Sequence, residues 1–329
     1  MRNMTQYSTG ISNMQWVFGL VLAVTAVVLP FNLSNYHVFQ MAMVLSYAIA
    51  LVGLNILTGY SGQISLGHGA FLAIGAYTTA ILIDKYDMHY ALTIPLAALI
   101  CFVAGFLFGL PALRLEGHYL ALATFSLAVA LPQLLKFKHL EEWTGGVQGI
   151  VIMKPESPLK EIMGLQINAD RWMYFVSLFI AIMMFILARN ILKGRVGRAL
   201  IAIRDHPIAA SSMGINTSLY KSLAFGVSAL FTGVAGSLSA LLISFVAPDS
   251  FNVFLSIILL VGMVIGGAAT LSGALWGALF IQFIPNLADE ISKAAPWAIY
   301  GVSMIAFMYL MPMGIAGALA LLGKRLTRH

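Results

Sequence analysis

Apolar runs long enough to cross a bilayer recur along the whole chain, and its acidic residues fall between them or at their ends. A hydrocarbon core of about 30 Å takes about 20 helical residues, somewhat fewer where a helix end is buried in protein. Ten candidate spans follow, at about 16–30, 36–57, 66–83, 90–112, 118–135, 172–189, 221–246, 253–268, 272–284 and 296–315. The eighth and ninth form one glycine-broken run, which splits near Ala269. Composition agrees: 60% of the residues are hydrophobic and 9% charged, against about 25% charged in soluble domains. The fold class expected is an all-α integral membrane protein of about ten helices, forming one transmembrane domain over residues 1–329. The run from Trp16 to Leu29 lacks a small-x-small cleavage site and ends in Pro30-Phe31, so it reads as an uncleaved first span.

Charge bias orients the spans. With both termini inside, eleven of the 18 Lys and Arg fall in cytoplasmic segments, with Glu116 and Asp205 as their only acids. The opposite side holds the other seven basic residues and ten of the 12 acids. Positive residues thus concentrate inside, as the orientation rule requires. Joining the eighth and ninth spans would move the C-terminal basic cluster outside, which favours ten. The net charge of +6 reports topology and gives no argument for nucleic acid.

Several chemistries are absent. None of the 12 acids lies in mid-span, whereas proton- and sodium-coupled carriers usually place ionisable groups inside the membrane. No P-loop, H-E-x-x-H or Cys/His metal spacing occurs. No catalytic residue, metal or bound cofactor is expected, and any fuel must come from another polypeptide. The single cysteine, Cys101, lies in an apolar run and reads as a small core or lipid-facing residue.

Residues 55–77, NILTGYSGQISLGHGAFLAIGAY, place a polar seam between two apolar runs. Each glycine there disfavours helix by about 0.5–1 kcal/mol against alanine. Broken membrane helices are tolerated where they are buried in protein or line a water-filled cavity, and in transporters they present backbone dipoles to solutes. Asn55, Thr58, Ser61, Gln63, Ser65 and His68 are therefore the candidate translocation-pathway residues. Close packing competes as a reading, and for the glycines it stands ahead, because Gly105-x-x-x-Gly109 and Gly273-x-x-x-Gly277 show the same economy elsewhere. For His68, a bond to a neighbouring carbonyl stands ahead of contact with cargo.

Two polar segments exceed simple turns. Residues 136–171 lie outside and carry WTGGVQGI at 143–150, where Trp143 suits an interfacial anchor and the glycines a tight turn. Residues 190–220 lie inside and carry GRVGRALIAIRDHPIAASSMGIN. A short helix over Ala199–Arg204 breaks at Asp205-His206-Pro207; Asp205 is placed to cap a second helix, with Pro207 in its first turn. That second helix runs about two turns, and Gly214 suits the left-handed residue that ends it. For the arginines alone, neutralising lipid headgroups stands ahead. Met213 with Ala209 and Ala210, however, offers a packing face with no core of its own.

The stretch GRALIAIRDHPIAASSMGIN, followed by KSLAFGVSALFTGVAGSL and PDSF (248–251), resembles permease subunits of branched-chain amino acid ABC importers of the LivM type. The seam NILTGYSGQISLGHGAFLAIGAY and GGAATLSGALWGA (266–278) are similar to that family's other glycine-rich segments, and with the TGG of 144–146 the likeness covers roughly residues 45–285. The resemblance implies a large-type ABC importer permease fold with interrupted helices, a coupling segment over 190–220, and ATP bound by partner subunits. Arg204, Asp205, Ala209, Ala210, Met213 and Gly214 would couple to the ATPases. Trp143, Thr144, Gly145 and Gly146 would dock a binding protein. Implied partners are a second homologous permease, two ATP-binding subunits, a periplasmic solute-binding protein and membrane lipid, in a bacterial inner membrane. Ile208 and Glu116 depart from the family pattern; Glu116 is expected to pair with Arg114. Rival readings are a permease for urea, an amide or an aromatic acid, a self-sufficient channel, and, third, a membrane enzyme.

Overall fold

In the computed structural model, residues 25–326 are described, apart from 113, 114, 116, 159, 160, 163, 164, 292, 294, 295 and 312. Of the expected first span, 16–24 fall outside the described residues and 25–32 are helical; the Arg114–Glu116 pair also falls outside. The helices that follow are α1 (Asn35–Leu54), α2 (His68–Tyr86), α3 (Tyr90–Ala112), α4 (His118–Leu135) and α5 (Ala169–Lys193). The segment between residues 190 and 220 supplies α6 (Arg195–Asp205) and α7 (Pro207–Ser212). The chain then returns through α8 (Thr217–Ile243), α9 (Val253–Gly266), α10 (Leu271–Ile291), α11 (Pro296–Leu310) and α12 (Gly314–Leu326).

Among the described residues, seven helical stretches are long and apolar enough to cross a membrane. Every expected span from the second onward meets a helix, but three meet it with changes. At the third expected span, α2 is helical over 19 residues yet is not among those seven. The 14 residues of α9 rise only about 21 Å at 1.5 Å per residue, short of a full crossing. The last expected span is divided between α11, which ends at Leu310, and α12, which begins at Gly314 with φ +71°. The division between the eighth and ninth spans is real: Gly267 (φ +124°) and Ala269 (φ +58°) break the chain between α9 and α10.

The centre of the molecule is α8, packed against α1, α2 and α3. Lipid tails are as apolar as leucine, so helices here associate through close approach of small residues and through hydrogen bonds. The sequence of α8 provides both. A Cβ at Gly233 would press on the Cys101 side chain of α3, and one at Gly75 would overlap the Gly233 backbone. Gly105 and Gly109 of α3 face Phe225, Ala229 and Ser222 of α8, while Gly273 and Gly277 of α10 face Gly266 and Gly262 of α9. Both small-residue pairs therefore serve packing. The opposite face of α3 exposes Leu92, Leu99, Val103, Leu107 and Leu110, an arrangement with large apolar groups outward that suits a lipid solvent.

Two antiparallel strand pairs, each strand two residues long, complete the fold: β1 (Ile150–Val151) with β4 (Phe245–Val246), and β2 (Glu161–Ile162) with β3 (Leu165–Gln166). The first ties residues 145–151 to the end of α8.

Candidate transport seam and docking surface

The seam begins where α1 loses its α-helical register. Residues Asn55–Tyr60 form a π turn, and Ser61–Gly67 run without helix before α2 starts at His68. Gly62 takes φ +74°, a conformation that side chains disfavour. All the expected pathway residues except Thr58 are buried, and each finds partners inside the protein.

Asn55 Nδ2 donates to the Thr270 carbonyl at 2.8 Å, and its Oδ1 accepts from Ala269 N–H at 2.7 Å. The Thr58 hydroxyl donates to Gln63 O at 3.1 Å. Gln63 Nε2 donates to Ser61 Oγ at 2.7 Å and to Lys221 O at 3.4 Å. At His68 the network fixes the ring. The Ser228 hydroxyl gives its one proton to Gly53 O (2.6 Å), so at 2.6 Å from His68 Nε2 it accepts. His68 Nδ1 is left to accept from the Ser65 hydroxyl at 2.9 Å. Both ring nitrogens are used, by hydroxyls rather than by a carbonyl.

The strip continues along α8 with residues that local sequence reading did not single out. Ser46 donates to Ala235 O (2.7 Å) and lies 2.9 Å from Ser239 Oγ, Thr79 lies 2.5 Å from Ser237, and Ser256 accepts from Gly69 N–H at 2.9 Å. The visible signal was the recurrence of hydroxyls at 222, 228, 232, 237 and 239 along one helix. At the end nearest α6 the strip meets a cleft of about 210 Å³ lined by Ser61, Gln63, Arg204 and Lys221.

At the candidate docking segment, α7 stands on Ala210, which is buried, while Ile208 is 83% exposed and Met213, just past its end, 84%. Ala209 is exposed as well. Gly214 takes φ +84°, the left-handed end expected of it. Asp205 does not cap α7. The cap position is His206, which offers no side-chain bond, and Asp205 is instead the last residue of α6; its Oδ1 accepts from Arg204 Nε and pairs with Nη2, each at 2.9 Å. Arg204 Nη1 donates to Gly59 O at 3.0 Å.

At 143–146, Trp143 is 44% exposed and lies beside the Tyr86 ring, centroids 6.2 Å apart. Thr144 is buried and bonds Leu135 O and Leu140 O, while Gly145 and Gly146 adopt φ +69° and +56°. Thr144, Gly145 and Gly146 build the turn that presents Trp143. Among the described residues, no cluster of His, Cys, Asp and Glu could hold a metal ion.

The family described as branched-chain amino acid transport system / permease component matches residues 36–311. The chain is 32% identical to the high-affinity branched-chain amino acid transport system permease protein LivM of Salmonella typhimurium, over 92% of this chain and 75% of that protein. LivM of Escherichia coli is also 32% identical, with the same coverage. BraD of Pseudomonas aeruginosa, a high-affinity branched-chain amino acid transport system permease protein, is 24% identical over 83% of this chain and 92% of its own length. No solved structure matches. With buried hydroxyl-lined helices, spans of membrane length and a family match over most of its residues, this chain belongs to the permease components of branched-chain amino acid transport systems.

Proposed function

We propose that the chain is the transmembrane subunit of an ATP-driven importer that moves branched-chain or other apolar amino acids across the bacterial inner membrane. It works with a second homologous permease, two ATP-binding subunits and a periplasmic solute-binding protein, and ATP stays on the partners. Both termini are cytoplasmic, a reading supported by the concentration of Lys and Arg in the inner segments.

One observation carries the proposal. Ile208, in the first turn of a six-residue helix whose only buried side chain is Ala210, and Met213, which caps its C-terminal end, stand almost fully exposed. A helix that short has no stability of its own in water, and its apolar tip lies next to Arg204 and Asp205, in a segment rich in arginine. Such a tip fits the surface groove of a motor subunit. Within the seam, Ser61 and Gln63 line the inner cleft and are the members placed to meet a departing solute. Asn55, Ser65 and His68 hold helices together. A pathway without fixed acids passes a zwitterion without trapping it.

Reconstitution in vesicles tests this. Uptake of branched-chain amino acids requires all the partners together, and the chain alone hydrolyses no ATP. Uptake by the chain alone would establish a channel instead.

A further inference from the structure

The docking segment is hydrogen-bonded to the membrane core through Arg204, in the last turn of α6, which donates to Gly59 O at 3.0 Å. Gly62 secures the contact, since a Cβ there would come within 2.8 Å of Arg204 Cγ. The carbonyl that Arg204 holds belongs to the π turn of Asn55–Tyr60. π turns are rare, are less regular than α-helix, and occur frequently at functional sites.

Asn55 opens that same turn. Its buried amide grips two successive peptide groups of the α9–α10 connection, donating to Thr270 O and accepting from Ala269 N–H. Two bonds from one planar amide fix orientation as well as distance, so this contact cannot slide. The gripped connection is itself specialised: Ala269 has φ +58°, and the Thr270 hydroxyl closes back on Gly267 O at 2.7 Å. Gly314 at the start of α12 lies against Gly267, where a Cβ would fall 2.5 Å from the Gly267 Cα. A continuous polar strut therefore runs from the docking segment, through the π turn, to the junction of α9, α10 and α12.

We propose that Arg204 and Asn55 are positioning residues of the transport cycle, carrying displacement of the docking helix into the α9–α10 connection. The inference rests on the docking reading of α7. It assigns Asn55 to transmission and removes it from the solute's path. The α9 helix, too short to be anchored at both membrane faces, is the element such a strut can tilt.

The test uses the full complex, purified and returned to vesicles, with Arg204→Gln, Arg204→Lys and Asn55→Asp. Asn55→Asp keeps the acceptor for Ala269 and loses the donor to Thr270. The readout is ATP hydrolysed per amino acid imported. We expect Arg204→Gln and Asn55→Asp to raise that ratio at least tenfold, and Arg204→Lys, which keeps a donor for Gly59 O, to recover part of the loss. A fluorescent label on Ala268→Cys, at an exposed position of the connection, should respond to nucleotide in the parent complex and fall silent with Arg204→Gln. A parent-like ratio and label response in Arg204→Gln would overturn the strut, as would parallel loss of hydrolysis, uptake and thermal stability in every variant. If Asn55→Asp fails to assemble, Arg204→Gln decides alone, because that side chain is partly open to solvent and glutamine keeps most of its aliphatic stem. Failure of the docking reading shows separately: Ile208→Glu would then assemble and import normally.

Discussion

His68 of α2 and Ser228 of α8 meet at 2.6 Å, although 160 positions separate them in the chain. The same Ser228 hydroxyl donates to Gly53 O of α1, so three helices close on one oxygen. Ser228→Ala would leave His68 Nε2–H and a buried carbonyl without partners. Such losses cost about 1–3 kcal/mol in water-soluble proteins and average about 0.6 kcal/mol in membranes. A loss of about 1 kcal/mol is predicted, read as a lower unfolding midpoint in detergent, with Ser228→Thr recovering most of it.

Much of this arrangement was legible in the sequence, and the reason is physical. Long apolar runs have one outcome in a bilayer, so the helices, the break near Ala269 and the left-handed Gly214 could be read locally. What stayed hidden were pairings between distant polar groups. Asn55 has no local mark that points to Ala269 and Thr270, and nothing beside His68 names Ser228. Asp205 misled for a local reason: a short acid before Pro207 is a good cap in isolation, but α6 extends through Asp205 and the cap position falls on His206.

Glycine contacts give a sharper contrast. Gly75 sits against the Gly233 backbone, and Gly301 meets nothing within 4 Å. Gly75→Val should prevent α2 from closing on α8 and abolish a monodisperse folded product. Gly301→Ala should leave the melting temperature unchanged or slightly higher, since alanine favours helix by about 1 kcal/mol. Size-exclusion profiles and thermal unfolding of the two variants check the pair.

The Arg204–Asp205 pair is solvent-facing on the Asp205 side, and surface ion pairs contribute about 0–1 kcal/mol. Asp205→Asn is predicted to change stability by less than about 1 kcal/mol. It should also weaken assembly with the ATPases less than Ile208→Glu does. Denaturation and co-purification measured on both variants test that order.

Gly214 constrains the exit from α7 through its backbone alone. At φ +84° nothing lies within 4 Å of a Cβ, so Gly214→Val meets conformational strain of about 1–3 kcal/mol and no clash. The predicted result is normal insertion with uptake reduced at least tenfold, and Gly214→Asn, which tolerates left-handed backbone better, should fall between. Transport assays on membranes with matched protein levels check it.

The most direct measurement places a photo-activated cross-linker at Ile208, whose side chain is 83% exposed, in cells that produce the whole transporter. The predicted result is an adduct with an ATP-binding subunit, and blockage of that adduct by an impermeant reagent applied only from the cytoplasmic side. Labelling of Ile208→Cys from the cell exterior, or no adduct with a nucleotide-hydrolysing neighbour, would contradict the account.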